Sequence, residues 1–138
     1  MKFKLISFSA LAALALAMIG PATAADLTIG SWEQQVIDQT NAQRARYGLP
    51  ALAVDMSLMQ NARNHCNWMA KSTHLQHSNQ NVAENIAQGQ NTSGEAVNDW
   101  MNSPGHRANI LNRTYTRIGV SGYMGPDGKG YWCQQFVQ

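Results

Sequence analysis

Helical periodicity in the first part of the chain and strand alternation at its end predict an α+β domain, with helices packed on the faces of an antiparallel sheet. Two observations carry this. Leu58, Ala62, Cys66 and Met69 step by four, four and three residues, which is one face of a 3.6-residue period. Near the end, Ile118, Val120 and, after Gly122, Met124 alternate, and Gly125-Pro126-Asp127-Gly128-Lys129-Gly130 punctuates a turn before Tyr131 to Val137 returns.

The elements follow in order. Ser31-Trp32-Glu33-Gln34 reads as a capping box with Ser31 as N-cap, opening a helix over about Trp32 to Tyr47 that Gly48 and Pro50 stop. Asp55 caps the second helix, whose periodic face turns Cys66 inward. Lys71 to Gln80 has no period, and Val82 to Ala87 is a short apolar segment with one acid, better suited to strand or turn than to helix. Ser93 opens a third helix with Ala96, Val97, Trp100 and Met101 on one side. Ser103-Pro104 starts a short fourth, since Ser suits the N-cap and Pro the first turn, and this puts His106 in that first turn.

Charge excludes some functions. The 138 residues carry ten Lys+Arg, eight Asp+Glu and a net charge of +2, but Lys2 and Lys4 precede the apolar run Leu5 to Ile19, which Pro21-Ala22-Thr23-Ala24 follows. Residues 1–24 therefore have the charged, apolar and small-residue parts of a secretory signal peptide, leaving 25–138 as a single exported domain, periplasmic or extracellular. That remainder has eight basic and eight acidic residues against twelve Asn and twelve Gln. Its neutral, amide-rich surface gives no electrostatic basis for nucleic acid or an anionic membrane. No second long apolar run is present, so no transmembrane segment is expected. In an oxidising compartment the only two cysteines, Cys66 and Cys133, are expected to pair. The alternative is two buried free thiols.

Four histidines are available for chemistry. His65 adjoins inward-facing Cys66 and reads as structural; His74 and His77 share a weak i, i+3 metal spacing; His106 is presented at a helix start by a Ser-Pro-Gly turn. HExxH is absent, and Gly119-Val120-Ser121-Gly122-Tyr123 lacks the last glycine of a GxSxG elbow.

Several motifs together resemble the CAP superfamily, or SCP domain, which includes cysteine-rich secretory, antigen 5 and pathogenesis-related class 1 proteins. They are Asn41-x-x-Arg44 with Gly48-Leu49-Pro50-Ala51-Leu52; Leu75-Gln76-His77-Ser78; Ala83-Glu84-Asn85-Ile86-Ala87; Trp100 through Ser103-Pro104-Gly105-His106-Arg107-Ala108-Asn109-Ile110-Leu111; Ile118-Gly119-Val120; and Tyr131-Trp132-Cys133-Gln134-Gln135-Phe136. They span about Ser31 to Phe136, in a form similar to the compact bacterial branch.

The resemblance implies a three-layer α-β-α sandwich with a central antiparallel sheet. It also implies a cleft of two histidines and two glutamates, with His77, Glu84 and His106 matching three of the four. The second glutamate's place is Ser103, so Glu95, earlier on the same helix, is the remaining candidate. Two neutral imidazoles could hold Zn²⁺ or another divalent metal weakly, with a carboxylate orienting them or accepting a proton. The bland alternative is that His77, Glu84 and His106 simply tie their elements together by hydrogen bonds. The expected function is a monomeric binding module for a divalent metal, a lipid, a peptide or a cell-surface ligand. Two alternatives stand beside it: a metal-assisted hydrolase with His77 and His106 as ligands and Glu84 as general base, and a structural envelope or adhesion protein.

Overall fold

The computed structural model describes residues 28–138; the expected signal peptide, residues 1–24, lies outside them. Helix α1, Ser31–Arg46, starts one residue before the expected Trp32. Gly30 is its N-cap, and the side chain that reaches back is Glu33, whose Oε2 accepts from Gly30 N–H at 2.8 Å. With Gly30 as N-cap, Gln34 lies one position past N3, and its amide donates to Asp38 Oδ1 at 2.8 Å. Gly48, with φ of +66°, takes the left-handed turn that ends the helix.

Asn41 and Arg44 then fold the following segment back on α1. Asn41 and Leu52 exchange two side-chain to main-chain hydrogen bonds of 2.8 and 3.2 Å. The buried Arg44 guanidinium donates to the carbonyls of Pro50, Ile110 and Asn112 at 2.8–2.9 Å, joining three parts of the chain without a carboxylate partner. Strand β1 is only Ala53–Val54. Asp55 Oδ1 caps α2, Met56–Ser72, by accepting from Ser57 and Leu58 N–H at 2.9 and 3.0 Å. Strand β2 is Ala83–Gln88, and α3, Ser93–Met101, is capped by Thr92 Oγ1. Helix α4 is Pro104–Ile110, and β3, Arg117–Met124, and β4, Gly130–Val137, form the expected hairpin.

The four strands lie in the order β1-β3-β4-β2. β3–β4 and β4–β2 are antiparallel, but β1 runs parallel to β3. The expected antiparallel sheet is thus mixed, because the long crossover between β1 and β3 permits a parallel pair that a tight hairpin could not make. β4 is central and buried on both faces. Trp132 and Phe136 join Val36, Ile37, Val97, Trp100 and Ile110 in the core under α1, α3 and α4. Tyr131 and Cys133 face the other way, onto Ala62, Cys66, Met69 and Ala70 of α2. Three layers result, with α2 alone on one side.

Candidate functional site

β2 is an edge strand, and alternation sends its consecutive residues Glu84 and Asn85 to opposite faces. On the α2 face, Glu84 Oε1 accepts from His77 Nδ1 at 2.8 Å and from Ser78 N–H at 2.9 Å. Its Oε2 accepts from Gln135 Nε2 at 2.8 Å and faces the Cys133 thiol at 3.8 Å. Burial pushes the Glu84 pKa up, but the hydrogen bonds from Gln135, Ser78 and His77 outweigh it, so the carboxyl is held below its ordinary value. Glu84 is therefore an anion whose two oxygens are both engaged.

A carboxylate can only accept, so Nδ1 of His77 carries a proton, and in the neutral ring Nε2 is the nitrogen with the lone pair. The imidazole is 61% exposed while the Glu84 side chain behind it is 5% exposed. This is the arrangement in which a buried acceptor orients a surface histidine for a ligand.

On the other face Asn85 fixes α4. Its Nδ2 donates to the His106 carbonyl and to Gln134 Oε1, both at 3.0 Å, and its Oδ1 accepts from Asn109 Nδ2 at 2.9 Å. Gln134 Nε2 continues to Thr40 Oγ1 on α1 at 2.6 Å. This buried amide chain sets the first turn of α4, and with it His106, against the sheet edge. Partial burial, and then the nearby His77, hold the His106 pKa below its ordinary value, which favours the neutral ring at pH 7.

The structure thus brings His77, Glu84 and His106 to one edge of the sheet. Glu95 lies elsewhere: at the start of α3 its carboxylate accepts from Asn91 N–H at 2.7 Å, beside Gln88, Gln90 and Asp99. His74 bonds the Ser72 carbonyl at 2.7 Å and His65 bonds the Gln76 carbonyl at 2.7 Å. Among the described residues no three His, Cys, Asp or Glu side chains converge to hold a metal. Glu84 could ligate only by giving up a hydrogen bond, so a metal held here would rest on the imidazole nitrogens of His77 and His106. Cys66 and Cys133 are both buried free thiols. Desolvation pushes Cys66 up to about 12 and Cys133 well above the ordinary thiol value, so neither is a thiolate at neutral pH.

Gln135, Gln134, Asn85 and Ser78 build the site although sequence reasoning gave none of them a role. The available signal was two adjacent glutamines inside an otherwise apolar strand.

A sequence profile of the Cysteine-rich secretory protein family, CAP, matches residues 37–136. The chain belongs to the CAP family. It is 36% identical over 132 residues to the Bacillus subtilis protein YkwD, covering 83% of this chain and 50% of that protein. An extracellular SCP-domain protein from Bacillus anthracis shares its fold with TM-score 0.67 and 30% identity, over 77% of this chain and 40% of that one. An outer surface protein from Borrelia burgdorferi superposes with TM-score 0.68 at 18% identity, over 75% and 89% of the two chains. This CAP chain spans about half the length of YkwD.

Proposed function

We propose that the protein is an exported CAP-domain binding module whose cleft takes a divalent metal on His77 and His106, with Glu84 orienting His77. The observation that carries this reading is the engagement of both Glu84 oxygens, with Oε1 accepting from His77 and Ser78 and Oε2 from Gln135. A general base must have a lone pair free for a proton, and its pKa must lie near the working pH. Three lone pairs of Glu84 already accept hydrogen bonds and its carboxyl is held below its ordinary value, which favours binding over the hydrolase. Two imidazoles are also fewer than the three protein ligands of a usual catalytic zinc site. When bound, the ion would supply a positive charge with open positions for an oxygen ligand. A polar cleft of this kind suits a metal better than a lipid. Export rests on residues 1–24, and the Cys66–Cys133 disulfide belongs to the same exported, oxidised form.

Zn²⁺ titration followed by the histidine ring signals in NMR tests the site. Shifts confined to His77 and His106, and lost in both His77→Ala and His106→Ala, are the expected result. Glu84→Gln should weaken binding by roughly 10–100-fold, as for other groups that orient a metal ligand. Ring signals unmoved at about millimolar Zn²⁺, where even a weak site would fill, would overturn the reading.

A further inference from the structure

Beside the cleft, the outer face of α2 and the loop after it enclose a groove of about 380 Å³, within the roughly 300–1,000 Å³ typical of small-molecule sites. One wall is aromatic. Trp68 is 46% exposed, and its indole stacks on the His65 imidazole with ring centroids 5.8 Å apart and 14° between the planes. His65 Nε2–H donates to the Gln76 carbonyl at 2.7 Å, which fixes the stacked pair to the loop. The remaining walls are largely amide, from Asn61, Asn64, Gln76, Asn79 and Gln80, with no Asp, Glu, Lys or Arg among the lining residues. Among the described residues, only Asn64 of these five has a side-chain partner, accepting from Gln60 Nε2 at 2.8 Å.

That lining selects a ligand class. A charged ligand finds no countercharge, and a lipid would strip water from amides without replacing their hydrogen bonds. An extended peptide pairs best with a free strand edge, whereas these walls are a helix and a loop. A pyranose ring presents an apolar C–H face, which suits a flat exposed indole, rimmed by hydroxyls that both donate and accept. Each Asn or Gln side chain likewise offers a donor and an acceptor.

We infer that this groove binds a neutral oligosaccharide, one sugar ring stacked on Trp68 and its hydroxyls bonded to the surrounding amides. His77 lines this groove as well as the metal cleft, but the stacked sugar needs neither Glu84 nor His106, so its binding is tested with metal withheld. The probes are the β-1,4-linked hexamers of N-acetylglucosamine and of glucose, added to the purified protein in EDTA while Trp68 indole and His65 ring signals are followed by NMR. At least one hexamer should shift both signals saturably. Trp68→Ala should weaken that binding roughly tenfold or more, as expected for loss of an aromatic stack. Trp68→Phe should recover part of it, and His106→Ala should leave it unchanged. Silence from both hexamers at about 10 mM, a concentration that fills even millimolar sites, would overturn the inference. So would wild-type binding by Trp68→Ala, or tighter binding of a hexaproline peptide than of either sugar.

Discussion

Glu84 and His106 both make folding sensitive to acid, in separate pH ranges. Glu84 has a folded pKa below its unfolded value, so the unfolded chain binds more protons in acid. Its contribution is complete above about pH 4.3, the unfolded glutamate value, and is lost as pH falls through the folded pKa. His106 is also lowered on folding, by burial and by His77. Its contribution is complete above about pH 6.5 and declines as pH falls below that, because the unfolded imidazole takes up a proton first. Urea midpoints measured from pH 8 to pH 3 should therefore fall in two stages. His106→Ala should remove the upper one. Glu84→Gln should shrink the lower one without abolishing it, because Asp55 is also held low, by the Leu58 N–H and by Arg117. The same substitution should cost about 1–3 kcal/mol at neutral pH, since a Gln side chain cannot accept at both oxygens. An acid limb identical to wild type in Glu84→Gln would contradict this account.

The elements pack closely enough that one methyl group decides whether α2 can lie on β3. A Cβ added at Gly119 would stand 2.2 Å from the Leu58 carbonyl carbon and 2.5 Å from its oxygen, so the helix backbone itself must move. Gly119→Ala should destabilise the domain by about 3 kcal/mol, at the upper end of overpacking costs. Gly105→Ala, whose added Cβ meets nothing within 4 Å, should be neutral or slightly stabilising by chemical denaturation. Equal effects of the two would refute the contact. The inward face of α2, its Asp55 cap, the Ser103-Pro104 start of α4 and the final hairpin were legible because each depends on residues a few positions apart. The parallel β1 was not, since two residues show no period. It is held by main-chain bonds across more than sixty residues, from Ala53 N–H to Thr116 and from Asp55 N–H to Ile118, at 2.9 and 3.0 Å. The cleft residues that the family resemblance marked need two different explanations. His77, Glu84 and His106 come together because Asn85 and Glu84 alternate on an edge strand, while Glu95 is drawn to its own helix start by the Asn91 N–H. Gln134 and Gln135 were opaque for another reason. Glutamine ordinarily marks surface, and only the central place of β4 turns both of them into buried donors.

At the scale of the whole molecule, one of the clusters that join the α2 layer to the sheet contains both cysteines. Cys66 on α2 donates its thiol to the Tyr131 carbonyl at 2.8 Å, and Cys133 lies two residues farther along the same strand in the same cluster. The reduced protein should be unreactive toward iodoacetamide while folded, because burial keeps both thiols protonated and covered. In an oxidising compartment, oxidation by a thiol–disulfide oxidoreductase would remove two protons and two electrons and close a loop of 67 residues. In the chain-entropy description that closure stabilises the domain by about 4 kcal/mol. It would also take the Cys133 thiol away from Glu84 Oε2, leaving Gln135 as the donor to that oxygen. Protein recovered from an oxidising compartment and denatured without reductant should therefore titrate with no free thiol, and reduction should lower its urea midpoint. Two thiols in the unreduced, denatured chain would exclude the Cys66–Cys133 bond and leave the α2 layer held to the sheet without a covalent link.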